Sequence, residues 1–203
     1  MTKDNGGFGR APTQHTVILS GFGGQGILFA GQLLCYAGMA AGWEVTWIPS
    51  YGPEMRGGTA NCTVVISDEP IGSPLIRNPK IAVVMSPEAM IKYEPMVKPE
   101  GLLLVNTSLV REPAARTDLR VLEVPASDLA TELGNVRMAN VVILGALLNA
   151  RPIVELSTVE QVLDKQLKGD KRRFIEPNKR ALHAGARHAE TLFSHSVPVP
   201  VKV

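Results

Sequence analysis

A three-layer α/β sandwich around a mixed, mostly parallel sheet is what this sequence predicts, and three observations carry the prediction. Short runs rich in Val, Ile and Leu alternate with helical patterns along the chain. The runs lack strict polar alternation, as strands covered on both faces do. Two of them, "WEVTWIP" and "TANCTVVIS", are separated only by a loop. That loop is too short for the helical crossover a parallel pairing requires, so an antiparallel pairing within the sheet is expected.

The elements follow in order. The opening "MTKDNGGFGRAPTQ" is polar and Gly-rich, reads as a flexible tail over residues 1–14, and lacks the apolar core of a secretory signal. The first strand is "HTVILS", followed by a helix from Gly26 to Ala41. "WEVTWIP", "TANCTVVIS" and "KIAVVMS" are the next strands. Ser86 followed by Pro87 is a helix-start signal, giving a helix from about Pro87 to Val97. "GLLLVN" and "RVLEVP" complete the strands. Asn140 begins an almost wholly apolar helix, where capping is the commoner use of such a residue and crossing an interface the other. Ser157 and Glu160 have capping-box spacing, giving a helix from about Thr158 to Leu167. A last helix from about Asn178 to Phe193 closes the domain, and Pro198 and Pro200 prevent its continuation into "VPVPVKV". The chain therefore reads as one Rossmann-like domain over residues 15–195, between tails at 1–14 and 196–203.

Composition narrows the function classes. With 45% hydrophobic residues, the 203-residue chain can bury one substantial core. Its 21 basic and 19 acidic side chains leave a net charge of +2, no broad field for nucleic acid or membrane. No apolar run reaches the roughly 18 residues of a membrane span. Cys35 and Cys62 fall in apolar patterns and read as reduced buried thiols of a cytoplasmic protein. Two cysteines do not make a four-thiolate iron–sulfur site. His15, His183, His188 and His195 show no metal-ligand spacing and read as surface residues. Met39, Met55, Met85, Met90, Met96 and Met138 read as gap fillers in cores or interfaces.

Two stretches stand out as candidate sites. "GFGGQG" places Gly21, Gly23, Gly24, Gln25 and Gly26 between a strand and a helix, where backbone N–H groups and a helix dipole can face an anion. A nucleotide-binding oxidoreductase is the alternative this loop raises. Against it, the second strand ends "WIPSY" without the carboxylate that holds a ribose, and the lysine and hydroxyl of a triphosphate loop are missing. A tight turn for close helix packing is the plain structural reading; the other is backbone presented to a neighbouring subunit or ligand. The second stretch is "SYGPEMRGG", with Tyr51, Glu54, Met55, Arg56, Gly57 and Gly58. Pro53 stiffens it, the glycines allow close approach, and Tyr and Arg are favoured interface anchors. An internal Glu54–Arg56 pair on a surface loop is the alternative. Lys165, Lys168, Lys171, Arg172 and Arg173 form the densest basic stretch, most simply a solvated helix end.

"GFGGQGI", "SYGPEMRGGTANCTVVISDEPIGSP" and "RMANVVILGALL", in this order, resemble the gamma subunit of the 2-oxoacid:ferredoxin oxidoreductases. The resemblance implies a complex that cleaves a 2-oxoacid oxidatively with coenzyme A, giving an acyl-CoA and CO2, and passes electrons to ferredoxin. It implies thiamine diphosphate between alpha and beta subunits and iron–sulfur clusters in the beta and a ferredoxin-like delta subunit, with none bound by the gamma chain alone. No catalytic residue is then expected here. The glycine loop and the Tyr51–Gly58 stretch become surfaces for assembly or coenzyme A, and the basic stretch a candidate for its phosphates or for an acidic ferredoxin. The form of the second motif leans towards 2-oxoglutarate over branched-chain substrates or pyruvate.

Overall fold

The computed structural model describes residues 13–51 and 59–194. Six strands form one sheet in the order β2-β3-β1-β4-β5-β6. They are β1 (Gln14–Phe22), β2 (Glu44–Tyr51), β3 (Thr59–Ser67), β4 (Ile81–Val84), β5 (Leu102–Asn106) and β6 (Arg120–Val124). β1, β4, β5 and β6 run parallel, and β3 lies antiparallel to both of its neighbours, β1 and β2. The expected mixed sheet is thus present, with every predicted strand in it.

Helices cover both faces. Val17, Leu19, Val64, Ile66, Val83 and Leu104 point into a core shared with α1 (Ile27–Ala40), α3 (Ala126–Glu132), α4 (Ala139–Ala150), α5 (Leu156–Gln166) and α6 (Ile175–Ser194). Ile18, Ala82, Val84, Leu103 and Val105 point the other way, onto Ala89, Met90 and Tyr93 of α2 (Pro87–Tyr93). This alternation along β1 and β4 is the period-two geometry of a strand. It explains why β4 and the Val17–Leu19 segment of β1 are apolar at consecutive positions. α4 is buried from Ala139 to Leu148, because it packs against α1, α3, α6 and β5.

Several boundaries differ from the sequence expectation, each for a physical reason. α2 ends at Tyr93, and the chain tightens into a 3-10 turn over Glu94–Met96. Pro95 has no N–H to continue the α ladder. α5 begins at Leu156, before the expected capping box, with Glu155 at its N-cap position and no side-chain cap. Glu160 is engaged elsewhere: its Oε1 lies 2.6 Å from His183 Nε2 on α6. α6 starts at Ile175, earlier than Asn178, since Pro177 falls in its first turn where an N–H is dispensable. α3 is an additional helix that no sequence signal announced. Ser86 does cap α2, accepting the N–H of Ala89 at 3.2 Å.

Among the histidines, His15 needs correction. His15 is half-buried and meets Trp43 edge to face, ring centroids 6.0 Å apart. His183 holds Glu160, and His188 Nε2 lies 3.3 Å from the Glu123 carbonyl oxygen. His195 lies outside the described residues. Cys62 is fully buried but Cys35 only half so, and both are free. Met85, Met90 and Met138 fill cores, whereas Met39 is exposed. Gln14 already pairs with Ser67, so the domain starts before residue 15. The two tails otherwise lie outside the described residues.

Candidate functional site

The site is built at one end of the sheet. β1 and β4 are adjacent and parallel, and the helices that follow them, α1 and α2, pack on opposite faces. Such a reversal opens a crevice beyond the carboxyl ends of the two strands, the usual ligand position in open α/β sheets. The glycine loop occupies it. Met85 N–H donates to the Ser20 carbonyl at 2.8 Å, tying the two strand ends together.

Gln25 closes the crevice with its own side chain. Its Oε1 accepts the N–H of Phe22 at 2.6 Å and its Nε2 donates to the Met85 carbonyl at 3.1 Å. The amide lies so close over Gly21 that a β-carbon there would be 2.2 Å from Oε1. A dinucleotide pyrophosphate needs that space and that N–H, so the closed amide argues against the nucleotide-binding alternative.

Gly26 ends the loop in the left-handed region, φ 73°, as the N-cap of α1. A residue with a side chain is strained there. Its carbonyl accepts the N–H of Ala30 at 3.1 Å, the first bond of α1, and also Asn140 Nδ2 at 2.8 Å. Gly23 and Gly24 form the exposed tip. No side chain caps α1 and its first turn carries no acidic residue, so the positive end of its dipole faces the tip unneutralised.

Asn140 overturns the capping expectation. Met138 is the N-cap of α4, and Asn140 sits inside the first turn. Its Oδ1 accepts the N–H of Val141 at 3.0 Å while Nδ2 reaches the glycine loop. Sequence reasoning had no signal for that contact, since the partners stand 114 positions apart.

The second candidate stretch leaves the sheet beside the first. Tyr51 pairs with Ala60, and Ala60 pairs with Gly21, so the three lie in one row across β2, β3 and β1. Two strand spacings separate Tyr51 from Gly21, about 10 Å. Glu54, Met55, Arg56, Gly57 and Gly58 lie outside the described residues, as does the Tyr51 side chain. The structure therefore brings together Gly21, Gly23, Gly24, Gln25 and Gly26, and sets the backbone of Tyr51 and of Thr59 in the strands alongside them. The basic residues form a separate feature: Lys165, Lys168 and Arg172 line an open groove of about 830 Å³ with Asp164, Gln166, Leu167 and Gly169. All five members of that stretch are exposed. Among the described residues, no three His, Cys, Asp or Glu side chains are grouped as a metal site needs, and no helix is long and apolar enough to cross a membrane.

Comparison with known proteins bears on this arrangement. The family model described as pyruvate ferredoxin/flavodoxin oxidoreductase matches residues 16–188. The chain belongs to this family. Within it, ketoisovalerate oxidoreductase subunit VorA of Methanothermobacter thermautotrophicus is 35% identical over 175 residues, covering 85% of this chain but 36% of that protein. The first relatives thus extend well beyond this chain. The 2-oxoglutarate synthase subunit KorC of Methanocaldococcus jannaschii is 38% identical over 173 residues, 82% of this chain and 91% of its own length. Among solved structures, the gamma subunit of a keto/oxoacid ferredoxin oxidoreductase from Geobacter sulfurreducens superposes with TM-score 0.78 at 27% identity, over 88% of this chain and 98% of that one. The 2-oxoglutarate:ferredoxin oxidoreductase of Magnetococcus marinus, solved with 2-oxoglutarate, coenzyme A and succinyl-CoA bound, gives TM-score 0.80 at 25% identity. That match covers 88% of this chain and 31% of that one. The α/β fold of the family's gamma subunit is therefore the fold of this chain.

Proposed function

We propose that this chain is the non-catalytic gamma subunit of a cytoplasmic 2-oxoacid:ferredoxin oxidoreductase, inactive alone. The complex converts a 2-oxoacid and coenzyme A to an acyl-CoA and CO2 and delivers the electrons to ferredoxin. Its other members are alpha and beta chains and a ferredoxin-like delta chain or domain. Thiamine diphosphate and the iron–sulfur clusters belong to those partners. The observation that supports the contact role is the row Tyr51–Ala60–Gly21, in which the start of the second motif, Tyr51, lies in register with the start of the glycine loop. Two conspicuous motifs at one sheet end suit a surface that meets a partner chain or coenzyme A. For coenzyme A, the exposed Gly23–Gly24 tip and the uncapped start of α1 suit a phosphate group. We favour 2-oxoglutarate as substrate, since a relative matched over nearly its whole length is a 2-oxoglutarate synthase subunit.

The test is recovery of a tagged chain from its native cells, with mass spectrometry of its companions and a coenzyme A-dependent oxidation assay over a panel of 2-oxoacids. Co-recovery of the partner chains, with fastest turnover of 2-oxoglutarate, is the expected result. Recovery of this chain alone, or its micromolar binding of NAD, NADP or FAD in calorimetry, overturns the proposal.

A further inference from the structure

The glycine loop is held by an amide that belongs to a different part of the chain. Asn140 is 4% exposed in a helix whose other residues from Ala139 to Leu148 are apolar or Gly. A buried amide is unfavourable unless its polar atoms are matched. Both ends of Asn140 are matched, Oδ1 by the Val141 N–H and Nδ2 by the Gly26 carbonyl. The fit is reciprocal. A β-carbon at Gly26 would lie 2.3 Å from Asn140 Nδ2, so the glycine that allows the left-handed turn also admits the amide. Gln25 secures the opposite side of the loop through Phe22 and Met85.

Gly26 is the junction between the exposed tip and α1, and its carbonyl carries the first helical bond as well as the Asn140 bond. Any shift of that carbonyl tilts the peptide planes of Gly24 and Gln25 on one side and the first turn of α1 on the other. We propose that Asn140 is a positioning residue: acting through Gly26, it fixes the presentation of the Gly23–Gly24 tip and so sets how strongly the loop engages its partner in the assembled oxidoreductase. This rests on reading the loop as a contact surface. It joins the third sequence motif to the first two, since Asn140 lies in "RMANVVILGALL" and its partner in "GFGGQGI".

The decisive variant is Asn140→Asp. It has nearly the same shape and keeps an acceptor for Val141, but replaces the donor with a carboxylate oxygen facing the Gly26 carbonyl. Complexes reconstituted with wild-type and variant chains are compared well below the unfolding temperature of either, for assembly affinity and for kcat and KM with coenzyme A. The expected result is assembly about tenfold weaker, or a KM for coenzyme A about tenfold higher with kcat unchanged, the scale of one lost buried hydrogen bond. A lowered unfolding temperature with wild-type assembly and KM overturns the proposal, because Asn140 is then structural only. Unchanged values throughout overturn it equally. Should Asn140→Asp not fold, Asn140→Ser decides alone: it fits the space without introducing charge, and a shift of about threefold in either quantity is required. Failure of the underlying reading is distinguishable, because the wild-type chain itself then does not assemble with the partner chains.

Discussion

Gly145 of α4 lies against the Leu182 carbonyl of α6 so closely that a β-carbon at Gly145 would sit 1.9 Å from that oxygen. Gly185 meets the Val142 carbonyl in the same way, at 1.7 Å. The obstacle in each case is backbone, which no side-chain rotation relieves. Gly145→Ala therefore forces α4 and α6 apart along the most extensively packed helix pair of the domain. Overpacking of this kind costs about 3 kcal/mol. At roughly 2–4 °C per kcal/mol for a chain of this size, the Tm falls by about 10 °C. A variant melting within a degree or two of wild type contradicts the close crossing.

Ser86 is fully buried at the end of β4, and its hydroxyl accepts the Ala89 N–H. Ser86→Ala leaves that helix-start N–H without its partner in a dry environment, at a cost of about 1 kcal/mol. Urea unfolding of the two proteins measures it as a lower midpoint at unchanged slope. Ser86→Thr, which keeps the hydroxyl, recovers most of the loss. Equal midpoints for wild type and Ser86→Ala show the cap to be energetically idle.

The strands were legible because burial on both faces writes itself into the sequence as unbroken Val, Ile and Leu, as in Leu102–Val105. The antiparallel β2–β3 pair was legible from the length of its connection. Contacts between elements were not. Ser157 and Glu160 have capping-box spacing, yet Glu160 bonds His183 on a helix that the local pattern does not contain. His15 looked like a surface residue because nothing nearby in sequence announces that Trp43 packs on it. The glycine loop was found by its composition, but its closure by Gln25 depends on Met85, and its anchor Asn140 arrives through the fold alone. The alignment of Tyr51 with Gly21 likewise depends on strand register, which two motifs quoted separately do not reveal.

The two cysteines should differ in reactivity. Burial pushes the Cys62 thiol up to about 12, and raises Cys35 as well, though Cys35 is only half-buried. The thiolate is the nucleophile, so neither thiol is activated and access decides the order. Iodoacetamide at about pH 8 labels Cys35 slowly and leaves Cys62 unmodified until the protein unfolds. Peptide mass mapping over a time course reads both sites. Native-state labelling of Cys62 as fast as Cys35 is inconsistent with its burial beneath α1.

His15 makes stability depend on pH in a predictable direction. Burial holds its imidazole below the ordinary value; the positive charges of Arg151 and Lys80 push the same way, and Asp68 opposes them. The folded state thus disfavours the protonated ring relative to the unfolded chain. Its contribution is fully present above the unfolded value of about 6.5 and is lost as pH falls through the lower folded value. His15→Phe keeps an aromatic ring against Trp43 and removes the titration. The stability of wild type relative to His15→Phe, measured by urea unfolding at steps between about pH 8 and about pH 5, should therefore hold constant at first and then decline below about pH 6.5. A difference that stays flat across the whole range means that His15 titrates alike in the folded and unfolded chains, and that its packing against Trp43 does not extend to its charge.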